Sequence, residues 1–134
     1  MNLGIIGLPE TGKRSVFSLL TGLDADRAPT RDGLIYGTAP VRDPRIDALT
    51  AMYNPKKSRY AEFDIVLPPD IHPDAARSAS WLGPLRNSDA FIHVIRAFEA
   101  EHVFHIMGDT DPARDIEIVD IELLLADLAL VETR

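Results

Sequence analysis

The N-terminal segment joins a short apolar stretch to a helix through a loop that contains two glycines and a lysine. Residues 2–6 are predicted to form a strand, and residues 14–20 to form an amphipathic helix. The residues between them fit the pattern Gly-x-x-x-x-Gly-Lys at Gly7, Gly12 and Lys13. Glycines let the backbone approach a phosphate closely, while the helix N-terminus and the lysine supply positive charge. The sequence therefore predicts a phosphate-binding loop, with an ordinary strand-to-helix turn as the alternative.

One position of this loop departs from the pattern. Arg14 stands where the motif has the serine or threonine whose hydroxyl ligates magnesium. Arginine has only donors and a permanent positive charge, so it can contact a phosphate but cannot hold a metal ion. Ser15 comes one residue late, and neighbouring helical residues point about 100° apart. The sequence thus argues against a magnesium site and indicates no catalytic residue. It predicts phosphate binding by Gly7, Leu8, Pro9, Glu10, Thr11, Gly12, Lys13, Arg14 and Ser15.

Composition restricts the class of protein. A chain of 134 residues with 46% hydrophobic and 26% charged residues is expected to form one soluble domain over 1–134, in the cytoplasm. It has no cysteine, so disulfides and thiolate zinc sites are excluded. No apolar run reaches the roughly 18 residues of a membrane span, and no leader sequence opens the chain. A net charge of −7 makes nucleic acid an unlikely partner, and the basic residues at 56–59 are interpreted as a solvated turn.

The remaining pattern alternates helices and strands. Pro44 behind Asp43 predicts a helix over 45–53, and strands are predicted over 61–67 and, as a buried strand, over 89–95. A helix over 75–87 would be broken at Gly83-Pro84, and no regular element is predicted between the first helix and residue 38. This order predicts an α/β fold with a mostly parallel sheet.

Four blocks of the sequence resemble the Obg-like (YchF) subfamily of P-loop GTPases and ATPases. They are GIIGLPETGKRSVFSLLTG (4–22), APVRDPRIDAL (39–49), WLGPLRNSDAFIHVIRAFE (81–99) and DPARDIEIVDIELLLADL (111–128). The resemblance implies a GTPase-like three-layer sandwich that binds GTP or ATP through the loop.

Two motifs that the subfamily uses for magnesium and the terminal phosphate are degraded here. In the region that should carry a metal-binding threonine, Thr30 remains without its surrounding motif. In the D-x-x-G motif, Asp64 can be aligned with the acid, but Leu67 then replaces the glycine; the other alignment puts Ile65 in place of the acid. We therefore expect a nucleotide-binding domain with a degenerate magnesium site and little hydrolysis. The alternative is a pseudo-GTPase that acts as a protein-interaction module without nucleotide.

The C-terminal residues 111–134 are predicted to form one helix with two apolar stripes. Ile118, Ile121, Leu125 and Leu128 form one stripe, and Ile116, Val119, Leu123 and Leu130 form the other. One sheet covers only one stripe, so a homo-oligomer or a downstream helical domain, into which this helix leads in the subfamily, is expected to cover the second. The alternative is that other parts of the same domain cover both faces. Residues 109–111 are interpreted as a helix-capping run. The four histidines are interpreted as satisfied or exposed side chains and not as metal ligands.

Overall fold

This computed structural model describes residues 1–70 and 83–132. Within these residues the chain forms five strands and three α-helices. The strands are β1 (Asn2–Ile6), β2 (Thr30–Arg31), β3 (Leu34–Val41), β4 (Ala61–Leu67) and β5 (Ala90–His93). The helices are α1 (Lys13–Thr21), α2 (Pro44–Tyr53) and α3 (Pro112–Glu132), and a 3-10 turn covers Pro84–Asn87. Along these residues, no helix is both long enough and apolar enough to cross a membrane.

The strands form one sheet in the order β2-β3-β4-β1-β5. β1 pairs in parallel with β4 and β5, whereas β3 is antiparallel to both β4 and β2. Four of the five strands therefore run in the same direction, which confirms the mostly parallel sheet. β2 and β3 form a hairpin whose turn residues, Asp32 and Gly33, both have positive φ angles, as a tight two-residue hairpin turn requires.

The sheet separates two apolar cores, because successive residues of a strand point to opposite faces. Ile5 lies in the core that α1 covers through Phe17, together with Ile65 of β4. Ile6 lies in the core on the other face, where Val119 of α3 packs. The resulting helix, sheet and helix layers confirm the predicted three-layer sandwich.

Local signals set the bounds of α2 and α3. The Asp43 carboxylate accepts a hydrogen bond from the Arg45 amide at 2.9 Å, and α2 ends at Asn54 in the left-handed conformation. The Asp111 carboxylate accepts hydrogen bonds from the amides of Ala113 and Arg114, both at 3.2 Å. The helix predicted over 45–53 and the capping function of Asp111 are confirmed.

Three predictions from the pattern need correction. The segment before residue 38 contains β2 and the start of β3, where none was predicted. The strand predicted over 89–95 covers only Ala90–His93 and is not fully buried, since Phe91 is 42% exposed. Of the helix predicted over 75–87, the last residues form a 3-10 turn at Pro84–Asn87, and residues 71–82 lie outside the described residues.

Gly37 explains why β3 was missed. A glycine and Pro40 inside one segment lower its strand propensity, so the pattern favours a loop. A Cβ atom at Gly37 would lie 2.7 Å from side-chain atoms of both Phe17 and Thr21. The glycine is required because α1 packs directly on this strand, a contact that local sequence does not reveal.

Candidate functional site

The predicted phosphate-binding loop begins where β1 meets β5. The Val94 amide donates a hydrogen bond to the Ile6 carbonyl at 2.8 Å, which holds the two chains together at this point. Gly7 follows with a φ of 148°, and a Cβ atom there would lie 2.3 Å from the Val94 carbonyl oxygen. Only glycine satisfies both the conformation and the close approach.

The Leu8 carbonyl organises the interior of the loop. It accepts hydrogen bonds from the buried Thr11 hydroxyl, at 2.9 Å, and from the Lys13 ammonium. Glu10 and Gly12 both have positive φ angles, 58° and 96°, so the backbone between Leu8 and α1 is tightly curved. These contacts fix the lysine relative to the loop backbone.

Lys13 is a buried cation with an anionic partner. Its side chain is 5% exposed, and its Nζ lies 2.8 Å from an Asp70 carboxylate oxygen. Burial lowers the pKa of the Lys13 ammonium below its ordinary value, although Asp70 and Glu10 oppose this shift. The loop therefore holds a desolvated positive charge next to the start of α1.

The N-terminus of α1 opens onto a cleft of about 270 Å³. Gly12 occupies the N-cap position, and no side chain in the described part of the protein caps the helix there. The first amides of a helix have no partner within the helix and attract anions. The cleft is lined by Glu10, Gly12, Lys13, Arg14, Ser15 and Asp70.

Arg14 lies at the mouth of this cleft. Its guanidinium forms an ion pair with Asp26, and both side chains are largely exposed. Ser15 is also exposed. Arg14 therefore presents a cation where the motif has a metal-binding hydroxyl.

Of the two residues that the resemblance singled out, Asp64 lies away from the loop and Thr30 lies in the β2–β3 hairpin. Asp64 pairs in register with Asn2, at the start of β1, whereas the loop follows the end of β1. Thr30 pairs with Ile35 in the β2–β3 hairpin. The alignment of Asp64 with the metal-binding acid is therefore wrong for this structure, and Thr30 is held within the sheet.

Asp70 is the site residue that the sequence analysis missed. β1 and β4 are parallel with Gly4 opposite Val66, so the residues that follow Leu67 reach the level of the loop that follows Ile6. The strand pairing was the signal that would have found it. An acid three residues beyond a strand looks like an ordinary loop residue until the register is known.

His105 and Asp115 form a second buried polar pair, separate from the loop. His105 Nε2 lies 2.9 Å from an Asp115 carboxylate oxygen, and the Met107 amide donates to His105 Nδ1 at 3.2 Å. Nδ1 is thus an acceptor, so Nε2 carries the proton that Asp115 accepts. Both ring nitrogens are occupied, which confirms the interpretation of this histidine as a satisfied side chain. The described residues contain no cluster of three or more potential metal ligands.

The sheet, the glycine-lysine loop and the helix that follows it define a P-loop NTPase domain of the GTPase type. Comparison with known proteins identifies the relatives of this domain. The chain is 35% identical to the ribosome-binding ATPase YchF of Bacillus subtilis over 142 aligned positions, which cover 100% of this chain and 38% of that protein. It is 37% identical to the protein of the same name from Haemophilus ducreyi, over 93% of this chain and 36% of that one.

A solved structure, that of the Schizosaccharomyces pombe YchF GTPase, superposes with a TM-score of 0.68 at 28% identity. The match covers 99% of this chain and 37% of that one. No family model matches the sequence. The chain is a homologue of the YchF proteins, which confirms the Obg-like resemblance, and it spans less than two fifths of the length of these relatives.

Proposed function

We propose that this domain binds the phosphate groups of GTP or ATP in the cleft formed by Gly7 to Ser15. The observation that supports this most is the buried Lys13 ammonium, which the Leu8 carbonyl positions beside the uncapped N-terminus of α1. A desolvated cation and oriented amides are the groups that recognise phosphate in P-loop proteins. The relatives support the proposal, since they are named as an ATPase and a GTPase.

We propose further that binding needs no magnesium and that hydrolysis is slow. Phosphoryl transfer in this class depends on a metal ion held by the loop hydroxyl and by a strand-end acid. Arg14 replaces the hydroxyl, and Asp64 lies at the wrong end of the sheet. The Thr30 hydroxyl donates to the Ala28 carbonyl at 3.3 Å, so the residues present do not fit a magnesium ion bound as the motif requires.

Thermal unfolding with and without nucleotide tests the binding proposal. A ligand at about 100 times its dissociation constant stabilises a protein by about 2.7 kcal/mol, a shift of several degrees for a domain of this size. We expect GTP or ATP to raise the melting temperature equally in magnesium and in EDTA. The Lys13→Met variant should lose the shift, while Lys56→Met, which removes an exposed lysine, should keep it. A wild-type protein that does not respond to either nucleotide or to pyrophosphate would refute the proposal.

Phosphate release under multiple-turnover conditions tests the catalytic part. We expect no steady release from the wild-type protein. Arg14→Ser should make binding magnesium-dependent without restoring turnover, because Asp64 still lies at the wrong end of the sheet. Steady release that Lys13→Met abolishes would show that the domain is an active NTPase.

The exposed surface of α3 favours a second candidate function, that of an interaction module. Val119 and Leu123 pack toward the domain, but Ile121, Leu124, Leu125 and Leu128 are exposed. We propose that a second copy covers them, because two copies present the same apolar stripe to each other across a two-fold axis. The domain covers Val119 and Leu123 of one predicted stripe and Ile118 of the other, so the division into one covered and one uncovered stripe holds only in part.

Analytical ultracentrifugation decides this candidate. We expect reversible dimers at tens of micromolar that Ile121→Glu with Leu125→Glu disrupts and that the matched exposed change Leu49→Glu in α2 leaves intact. A wild-type monomer at this concentration would contradict self-association.

We propose a cytoplasmic location, which the ribosome-binding function named for the bacterial relatives supports. Nucleic acid is a poorer partner for this domain than nucleotide, given its net charge of −7.

A further inference from the structure

Asp70 occupies the position that an anionic ligand of the loop would take. Its carboxylate lies 2.8 Å from Lys13 Nζ and lines the same cleft as Gly12 and Ser15. An ammonium group has three donors, and Lys13 directs them at the Leu8 carbonyl and at Asp70. A phosphate oxygen that approaches Lys13 from the cleft thus meets another anion already bound there.

The two sides of this contact differ in how firmly they are held. Lys13 is 5% exposed and is anchored to the Leu8 carbonyl, whereas Asp70 is 46% exposed. A half-exposed carboxylate recovers its hydration when it leaves the lysine, but the buried ammonium cannot. Asp70 is therefore the partner of Lys13 that a ligand can replace.

We propose that Asp70 is an internal ligand of the loop, which the phosphate groups of a nucleotide must displace from Lys13. This inference rests on the proposed function, because it concerns the same cleft. When the binding-competent state is only a fraction of the population, the apparent dissociation constant rises by the inverse of that fraction. Asp70 thus weakens the affinity of the loop for every phosphate ligand, and it does so without a metal ion.

Isothermal titration with pyrophosphate, GTP and ATP tests the inference, each in EDTA and in magnesium. The test variant is Asp70→Asn, with Asp70→Ser as a second substitution that removes the same charge. The matched control is Asp64→Asn. It removes one exposed negative charge from β4, at the end of the sheet that lies away from the loop. We expect Asp70→Asn and Asp70→Ser to tighten pyrophosphate binding about threefold or more, and Asp64→Asn to change it less than about twofold because of screening.

The dependence on Lys13 gives a second readout. In the Lys13→Met background, where we expect binding to be lost, Asp70→Asn should not restore it, because the contact it removes is already absent. If Asp70→Asn restores or improves pyrophosphate binding in the Lys13→Met background, Asp70 acts only through general charge repulsion, and the inference would be overturned.

The outcomes separate this inference from the proposed function. If the wild-type protein binds and Asp70→Asn matches the control, the function stands and the internal ligand is refuted. If Asp70→Asn weakens binding in magnesium, Asp70 is a metal ligand and the inference is likewise refuted. If Asp70→Asn binds pyrophosphate and the wild-type protein does not, the inference is supported, because Asp70 then blocks the loop completely. If neither binds any probe, both ideas are wrong.

Discussion

Two buried polar pairs in this domain differ in how completely the protein encloses them. His105 and Asp115 are 3% and 2% exposed, and Arg114 donates to the second Asp115 oxygen at 3.1 Å. Lys13 is equally buried, but its partner Asp70 is 46% exposed and borders a cleft. The first pair has every polar atom satisfied from within the fold, whereas the second has one partner that water can reach.

This difference separates a structural pair from a pair suited to ligand exchange. A fully enclosed pair stabilises the fold only if neither partner is removed, since a single buried polar group is costly. A pair with one hydrated member can exchange that member for a ligand at a small cost. A buried carboxylate partner thus serves the attachment of α3 in one region, and an exchangeable one serves the proposed recognition of phosphate in the other.

The largest expected effect comes from breaking the enclosed pair. Asp115→Ala leaves the buried His105 N–H and the partly buried Arg114 guanidinium without their acceptor, and we expect a loss of about 3–5 kcal/mol in the free energy of unfolding. Chemical denaturation at neutral pH measures it. Glu117→Ala, an exposed change on the same helix, is the control. If the two variants are equally stable, the His105–Asp115 pair does not hold α3 to the domain.

The next effect concerns the backbone that presents the lysine. Gly7→Ala should cost about 2–3 kcal/mol and abolish nucleotide binding, because its Cβ would collide with the Val94 carbonyl. Gly12→Ala has the same kind of positive φ but no atom within 4 Å of the added Cβ, so strain alone should cost about 1 kcal/mol. Denaturation curves that coincide for the two alanine variants would show that the Val94 carbonyl leaves room for a Cβ atom at Gly7.

A smaller effect on stability should accompany the loss of the exchangeable pair. Lys13→Met keeps most of the side-chain volume and removes a charge whose burial is unfavourable, as the lowered pKa of Lys13 indicates. We expect the free energy of unfolding to change by less than about 1 kcal/mol. A loss as large as that of Asp115→Ala would show that the Lys13–Asp70 pair is structural, like His105–Asp115.

The smallest effect is a pH dependence at Glu122, on the buried face of α3. Desolvation by burial raises the pKa of this carboxyl, so its ionised form is disfavoured in the folded state. The penalty is complete at a pH above the folded pKa and vanishes below the unfolded value of about 4.3. Glu122→Gln should therefore add a few tenths of a kcal/mol at pH 7, and the gain should disappear as the pH falls toward 4. Paired melts with Glu117→Gln as the control measure this; a gain that grows on acidification would contradict it.

Elements that carry their own local signals were predictable from the sequence. The apolar run of β1, the loop glycines and the Asp43-Pro44 start of α2 each specify structure over a few residues, and all three were predicted correctly. The class of fold followed from their order. Prediction failed at β3, where Gly37 is explained by the packing of Phe17 from a distant helix.

The residues of the candidate site also differ in whether local sequence reveals them. The pattern predicted Gly7, Gly12 and Lys13, because the motif is contiguous in sequence. Asp70 was not predicted, since its relation to Lys13 depends on the parallel pairing of β1 and β4. The His105–Asp115 contact spans a loop and the first turn of α3, so neither helical nor strand periodicity indicates it.

The lengths of the strands bear on how this domain behaves when it is concentrated. The longest strands, β3 and β4, with eight and seven residues, both lie inside the described sheet, and its outer positions are taken by β2 with two residues and β5 with four. An unpaired strand edge is a template on which another chain can add, and a short edge offers few free amide and carbonyl groups for such growth. β2 also places Arg31 beside Asp32 at the rim, where charge opposes close stacking. The two longest strands therefore have no free edge in the described sheet, and only short edges are open to a neighbouring chain.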